Sequence, residues 1–148
     1  LVGSEMCIRD SCEADLYISD LSIFDAELSR SCYYGKMVPG FSDDWVFDWD
    51  GERITRVGKE GTDRYNMVGV SYFKKADAAV IRDAIDAAYE KPGYEGLYWD
   101  EIVDRQLDKL NLDIHPVEKE QIVEIDSVAE LAVIDESYRE VLEKMQAE

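Results

Sequence analysis

The chain has 148 residues, 46% of them hydrophobic and 11% aromatic, and it carries a formal net charge of -18 with a pI near 4.3. This length and composition predict one domain with a hydrophobic core and exclude wholesale disorder. The excess of acidic residues argues against broad contact with nucleic acid or with an anionic membrane, because their phosphates would be repelled.

The first eleven residues differ in character from the rest of the chain. The string LVGSEMCIRDS, Leu1 to Ser11, resembles translated sequencing-adaptor sequence, so we expect an artefactual extension and leave it out of the fold prediction. Cys12 to Ile18 then has the pattern of a buried strand. We therefore expect residues 12–148 to begin inside a domain whose earlier part is missing.

The cysteines and the apolar runs indicate the cellular compartment in which the protein is expected. No apolar run approaches the roughly 20 residues that a membrane-spanning helix needs. The cysteines, Cys7, Cys12 and Cys32, are odd in number and lack metal-ligand spacing, and Cys32 in an apolar run is expected to be a small buried side chain. The sequence thus predicts a protein of the reducing cytoplasm.

Strands and helices are predicted in alternation, which indicates an α/β fold. After the first strand, the elements in chain order are a short helix from Leu21 to Arg30, a strand from Cys32 to Val38, a hairpin with arms Asp44 to Asp48 and Glu52 to Val57, a strand from Tyr65 to Phe73, helices from Lys75 to Lys91 and from Tyr98 to Leu110, short strands from Asp113 to Val117 and from Ile122 to Ile125, and a last helix that ends near Lys144.

Three local signals support these boundaries. Asp50-Gly51 lies between two strand-like runs, which is a strong hairpin signal. Pro92-Gly93 ends the first long helix. Ser127, with Glu130 three residues later, forms a capping box that begins the last helix.

Two acidic clusters near opposite ends of the chain predict a metal site. Each consists of an acidic residue, a spacer and an aspartate: Glu13-Ala14-Asp15 and Glu124-Ile125-Asp126. In a strand this spacing directs both carboxylates to one side, as a divalent cation requires. One such cluster is common, whereas two together indicate that both bind the same cation.

Several stretches resemble one family, in order and with similar spacing, from about Cys12 to Asp135. They are CEADLYISDLSIF, SCYYGKMV, DDWVFDWDG, MVGVSYF, GLYWDEIV and IVEIDSVAEL. The chain resembles the latter part of bacterial choline-phosphate cytidylyltransferases, members of the nucleotidyltransferase superfamily. LYWD followed by EIDS is the most specific part of the resemblance. It implies the C-terminal portion of a Rossmann-like mixed sheet with flanking helices and a β-hairpin insertion.

The resemblance implies transfer of a cytidylyl group from CTP to phosphocholine, giving CDP-choline and pyrophosphate. It also implies that Asp15, Glu124 and Asp126 bind Mg²⁺ and that Asp15 and Asp126 are the catalytic carboxylates. In this family the first acidic motif is usually Asp-Ala-Asp, so Glu13 departs from the pattern and Asp15 is the expected ligand of this cluster. We expect positioning and charge neutralisation to carry the catalysis.

By the same resemblance, Trp45 and Tyr98 form a cage for the trimethylammonium group. Asp44 and Asp100, which lie beside them in sequence, are candidates to add negative charge. A quaternary ammonium donates no hydrogen bond, so it binds over aromatic faces, at roughly 0.5 to 2 kcal/mol per contact. Trp49 and Trp99 are instead expected in the core or in hairpin pairs.

Two other residues are weaker candidates. His115, the only histidine, has no obvious partner for catalysis, and we assign it no role. Gly69 is predicted to mark either a close approach of the backbone to a ligand or a β-bulge.

Enzymes of this superfamily begin with a glycine-rich loop and a lysine that hold the nucleotide, and this sequence has no such stretch. We therefore expect the chain on its own to be inactive. Two alternatives stay open. The first is the same chemistry on a sugar 1-phosphate or on phosphoethanolamine, and the second is a non-enzymatic acidic module that binds a divalent cation or a protein.

Overall fold

The computed structural model of the chain describes residues 8–146, which are built around a four-stranded sheet. Its strands are β1 (Ile8–Cys12), β3 (Cys32–Trp49), β4 (Ile54–Lys74) and β5 (Asp113–Pro116), in the order β1-β4-β3-β5. The first two pairings are antiparallel and β3 runs parallel to β5, so the sheet is mixed, as predicted. A separate antiparallel pair joins β2 (Leu16–Ile18) to β6 (Ile122–Glu124).

Residues 8–146 contain four α-helices, of which the first two pack against the sheet. They are α1 (Lys75–Tyr89), α2 (Trp99–Asp104), α3 (Val128–Ile134) and α4 (Arg139–Gln146). The prediction for α1 is confirmed to within two residues, whereas α2 ends earlier than expected because i to i+3 bonds such as Lys109 N to Gln106 O take over. None of the helices in residues 8–146 is long and apolar enough to span a membrane.

The predicted hairpin is confirmed and is longer than expected. Gly51 has a φ of 100° in the turn between β3 and β4, and the Asp50 carboxylate accepts hydrogen bonds from the backbone N–H groups of Glu52 and Arg53. Both strands bend beyond the turn. As a result, Asn66 of β4 is paired with Lys36 on one edge and with Val46 on the other.

Two further predicted helices differ from the structure. Leu21 to Arg30 forms only a 3₁₀ turn, Leu21–Phe24: the Asp20 carboxylate accepts from the Ser22 N–H at its start, and the Asp25 N–H closes it with an i to i+3 bond to the Ser22 carbonyl. The last helix is confirmed at its start, where the Ser127 hydroxyl accepts from the Glu130 N–H, but it is broken at Asp135. The carboxylate of Asp135 accepts from the Ser137 N–H and begins a new helical segment.

The first strand also differs from its prediction. Cys12 to Ile18 was expected as one strand, but Glu13, Ala14 and Asp15 form the connection between β1 and β2. Residues 8–11, which lie in the segment assigned to an artefact, pair with β4 in the sheet. Residues 1–7 lie outside the described range, and the origin of the segment stays a prediction.

The core has one layer on each face of the sheet, because successive side chains of a strand point to opposite faces. Tyr33 of β3 belongs to the larger cluster, which includes Ile81 of α1 and Val103 of α2. Its neighbours Cys32 and Tyr34 belong to the smaller cluster on the other face. The prediction of a buried Cys32 is confirmed, since 2% of its surface is exposed.

Candidate functional site

Three carboxylates converge beside the pairing of β2 with β6. One oxygen from each of Glu13, Asp15 and Glu124 lies within 4.8 Å of the other two. The β2–β6 pairing brings them together, since Leu16 is the register partner of Glu124 and the Ile125 N–H donates to the Asp15 carbonyl at 2.8 Å. We call Glu13, Asp15 and Glu124 the carboxylate group.

Gly69 makes room for the Glu13 member of this group. It has a φ of 73°, and its carbonyl accepts a 3.0 Å hydrogen bond from the Glu13 N–H. A Cβ atom at this position would lie 2.5 Å from Oε2 of Glu13. The glycine is therefore needed both for its backbone conformation and for the close approach of a site carboxylate.

The electrostatics of the carboxylate group favour a cation. Partial burial raises the pKa of Glu124, and so do the neighbouring charges of Asp126, Asp44, Asp15 and Glu13. The pKa of Glu13 is raised by burial and then by Asp15 and Asp44. Since like charges at this spacing repel, bound positive charge would stabilise the arrangement.

The carboxylate group differs in one member from the ligand set implied by family resemblance. Asp15 and Glu124 lie together as expected, but Glu13 completes the group in the described residues, not Asp126. Asp126 stays close enough for its charge to raise the pKa of Glu124, and its N–H donates to Glu130. Three carboxylate oxygens at this spacing fit Mg²⁺, which takes hard oxygen ligands and keeps several waters. Metal binding by these residues stays a prediction.

Asp100 lies in the core and not on an open surface. It is 5% exposed, and its Oδ1 accepts a 2.8 Å hydrogen bond from the buried Tyr33 hydroxyl. Burial raises the pKa of Asp100 to about 6, the Tyr33 hydrogen bond opposes this rise, and the charge of Glu13 adds to it. Asp100 is thus electrostatically linked to the carboxylate group, whereas its predicted contact with substrate stays a prediction.

Trp45 and Tyr98 form a pair of rings at the surface. Their ring centroids are 5.6 Å apart and their planes make an angle of 72°. The Nζ atom of Lys59 lies 5.8 Å from the Trp45 centroid and 5.4 Å from the Tyr98 centroid. These distances lie within the range of cation–π contacts, so the ring pair already holds an ammonium group in the structure.

The ring pair opens on a cavity of about 640 Å³ that also contains charged groups of both signs. Its charged lining consists of Arg56, Lys59, Glu101, Asp104 and Arg105. Asp44, which precedes Trp45 in sequence, is close enough to the carboxylate group for its charge to raise the pKa of Glu13 and of Glu124.

The other aromatic predictions have simple outcomes. Trp99 packs in the core, 6.0 Å from both Tyr33 and Phe73 between ring centroids. Trp49 is a hairpin residue opposite Ile54 and is 46% exposed. His115 packs against Tyr34 with centroids 4.6 Å apart, and burial lowers its pKa.

Sequence reasoning missed two residues of this region, Tyr33 and Lys59. Lys59 is the register partner of Trp45 across the hairpin, so a register assignment for the hairpin would have found it. Tyr33 carries no comparable signal, because its partner Asp100 is distant in sequence and the contact arises from packing.

Comparison with known proteins finds two relatives that are both named cytidylyltransferases. No protein-family model matches the chain. It is 51% identical over 128 residues to a 2-aminoethylphosphonate cytidylyltransferase of Lancefieldella rimae, covering 86% of this chain and 52% of that protein. It is 26% identical over 137 residues to the choline-phosphate cytidylyltransferase of Streptococcus pneumoniae, covering 92% of this chain and 59% of that protein.

A solved structure gives the same assignment. The CTP:phosphocholine cytidylyltransferase from Streptococcus pneumoniae superposes with a TM-score of 0.72 at 25% identity, over 88% of this chain and 57% of the other. The chain spans a little over half the length of each of these proteins. By sequence and by fold, it is therefore a relative of the bacterial cytidylyltransferases in the nucleotidyltransferase superfamily.

Proposed function

We propose that this chain is part of an enzyme that transfers a cytidylyl group from CTP to a small acceptor with a phosphorus oxyanion at one end and an amine or ammonium at the other. An oxygen of the acceptor attacks the α-phosphorus of CTP, the new P–O bond forms as the bond to the leaving group breaks, and pyrophosphate departs. The relatives named above support the cytidylyl donor.

The ring pair is the observation that carries the acceptor class. An ammonium, that of Lys59, lies within 5.8 Å of both ring centroids, so the site is suited to a cation. A sugar 1-phosphate has no cation and would leave this feature unused. Phosphocholine and 2-aminoethylphosphonate both carry a cation on one side of a short linker and a phosphorus oxyanion on the other.

Among such acceptors we favour 2-aminoethylphosphonate, with phosphocholine second. The 51% identical relative supports the phosphonate, whereas the choline-phosphate enzyme is 26% identical. The charge of the cavity is compatible with both acceptors: Glu101 and Asp104 line it as possible partners of a primary ammonium, and Arg56 and Arg105 as partners of the oxyanion.

The carboxylate group would serve the same reaction by holding Mg²⁺. The ion offsets negative charge on the phosphates when bound. Asp15 and Glu124 would fix it at the junction of β2 and β6, and Glu13 would join them from the connection after β1. With a net charge of -18, the chain would otherwise repel a nucleoside triphosphate.

Turnover can be tested in a chimera. Residues of this chain would replace the 128-residue matched region of the Lancefieldella rimae relative, which would supply the rest of the enzyme. Pyrophosphate release would be measured with CTP and Mg²⁺ and with 2-aminoethylphosphonate, phosphocholine, phosphoethanolamine or glucose 1-phosphate. We expect the highest kcat/KM with 2-aminoethylphosphonate. Preference for glucose 1-phosphate, or no release with any acceptor in a folded chimera, would contradict the proposal.

A further inference from the structure

Lys59 is placed by the hairpin so that its ammonium enters the ring pair. Trp45 and Lys59 are register partners across β3 and β4, and Tyr98 reaches the same point from the start of α2. The ammonium lies 5.8 Å from one ring centroid and 5.4 Å from the other. The pairing of β3 with β4 therefore places the Lys59 ammonium at the rings.

The two carboxylates that line this cavity accept backbone hydrogen bonds and do not form ion pairs with Lys59. Glu101 accepts a 2.9 Å hydrogen bond from the Tyr98 N–H, and Asp104 accepts a 2.7 Å hydrogen bond from the Val57 N–H. Both line the same cavity as Lys59, yet the ion pairs found among residues 8–146 do not include Lys59. The two rings are thus the main partners of its charge.

We propose that Lys59 is a specificity-determining residue, an internal occupant of the acceptor's cation site that leaves the rings only for a ligand bringing its own anion. This inference rests on the proposed function. Two ammonium groups at one ring pair would repel each other, so an incoming cation must displace Lys59. A cation without an anionic group provides no new partner for the displaced Lys59 ammonium. The oxyanion of an acceptor provides one, because it can accept a charge-assisted hydrogen bond from this ammonium.

The flexible side chain of Lys59 allows this exchange without movement of the backbone. Four methylene groups separate the ammonium from the backbone of β4, and the side chain is exposed at the mouth of the cavity. In the bound state the acceptor cation would lie between Trp45 and Tyr98. Lys59 would then join Arg56 and Arg105 around the phosphate or phosphonate. No covalent step is involved.

The test compares a bare cation with a zwitterion on the 148-residue chain. Choline and phosphocholine would be titrated into wild-type protein, K59M and the control K119M, with binding followed by NMR. In K59M we expect choline to bind about three- to tenfold more tightly, because the internal competitor is gone, and phosphocholine to gain nothing. Lys119 is an exposed lysine that pairs with Glu120, so K119M should match wild type.

A second readout uses the wild-type chain, so that the test does not depend on the folding of a variant. Ring currents should shift the ε-methylene protons of Lys59 upfield, and saturating phosphocholine should return them toward ordinary lysine values. Unchanged or weaker choline binding in K59M, or no movement of these protons, would overturn the role of Lys59. An equal gain for both ligands in K59M would overturn the exchange.

Failure of the proposed function would look different. Tyr98→Ala should abolish binding of either ligand, whatever residue occupies position 59. If Tyr98→Ala bound choline as well as wild type does, the ring pair would not be the cation site and the proposed acceptor class would fail. If Tyr98→Ala lost binding while K59M changed nothing, the acceptor site would stand and only the inference about Lys59 would fall.

Discussion

The Tyr33 hydroxyl donates a 2.8 Å hydrogen bond to Oδ1 of Asp100, and less than a tenth of either side chain is exposed. This contact joins β3 to the first turn of α2 within the larger core cluster. It also gives the buried Asp100 carboxylate an uncharged hydrogen-bond donor, while the nearby charge of Glu13 raises the pKa of Asp100. The core and the candidate site therefore share one interaction, which can be tested through stability.

Tyr33→Phe should lower the free energy of unfolding by about 1–3 kcal/mol near neutral pH, because the buried Asp100 carboxylate would lose its donor. Urea titration followed by circular dichroism would measure the change. Tyr17→Phe is the matched control, since Tyr17 is 43% exposed, and it should stay within about 0.5 kcal/mol of wild type. Equal effects of the two variants would contradict an important Tyr33–Asp100 bond.

Asp100 should make stability depend on pH in a defined direction. Its pKa is raised from 3.8 to about 6, so the folded protein holds a proton that the unfolded chain has released. The associated stabilisation is present below about pH 4 and is lost as the pH rises through 6, with a total of about 3 kcal/mol.

Asp100→Asn should remove that dependence while keeping an oxygen that accepts from Tyr33. The comparison would use urea titrations of both proteins between about pH 4 and pH 7. The lowered pKa of His115 acts in the opposite direction, but it is present in both proteins and cancels in the difference. Parallel stability curves for wild type and Asp100→Asn would contradict the raised pKa of Asp100.

Gly69→Ala should disturb the candidate site more than an otherwise similar glycine replacement. Gly69 and Gly51 both have positive φ, so alanine at either position should cost about 1–2 kcal/mol of stability. Only at position 69 would the new Cβ meet the Glu13 carboxylate, since nothing lies within 4 Å at position 51. We expect weaker Mn²⁺ binding in Gly69→Ala alone, measured by electron paramagnetic resonance. Equal Mn²⁺ affinity in the two variants would mean that Glu13 is not a ligand.

Neutralising a member of the carboxylate group should have opposite effects with and without Mg²⁺. Without the ion, Glu124→Gln should stabilise the fold, because partial burial and then the neighbouring charges raise the pKa of Glu124 and disfavour its charged form. With Mg²⁺ at about 100 times its Kd, wild type should gain about 2.7 kcal/mol and Glu124→Gln much less. Asp25→Asn, at an exposed carboxylate outside the group, is the control for both conditions. The same sign of change in both conditions would exclude a metal site here.

Tyr98→Ala in the chimera should lower kcat/KM for the acceptor about tenfold or more and leave the KM for CTP unchanged, because the ring contacts only the cationic end of the acceptor. Tyr98 is 59% exposed, so its loss should cost little stability. Tyr89→Ala removes a comparably exposed ring on α1 and should retain full activity. Equal losses toward CTP and acceptor would identify Tyr98 as a structural residue.

The parts of the fold that follow from local chemistry could be predicted from sequence. The Asp50-Gly51 turn, α1 and the capping residue Ser127 all depend on neighbours a few positions away, and each is found where the sequence predicts it. The helix predicted from Leu21 was wrong: Asp20 does cap its start, but the segment closes as one 3₁₀ turn, where the Asp25 N–H bonds to the Ser22 carbonyl.

Details of the candidate site depend on tertiary geometry and were harder to predict. The spacing of the acidic clusters anticipated that Asp15 and Glu124 would approach each other. It did not anticipate Glu13 in place of Asp126, because that choice depends on how the chain passes Gly69 between β1 and β2. Asp100 was expected beside a ligand, and its burial against Tyr33 reflects core packing that no short motif encodes.

The β2–β6 pairing makes the carboxylate group a contact between segments that are far apart in sequence. Asp15 and Glu124 are roughly 110 residues apart in sequence, and closing a loop of that length costs conformational entropy that grows with the logarithm of its length. An ion held by both would act as a removable cross-link between β2 and β6 in the folded state; unlike a disulfide, it would stabilise the fold by mass action and leave the unfolded chain unconstrained. Mg²⁺ should then slow amide exchange at Leu16–Ile18 and Ile122–Glu124 first, so that the concentration of the ion sets how firmly the domain is closed.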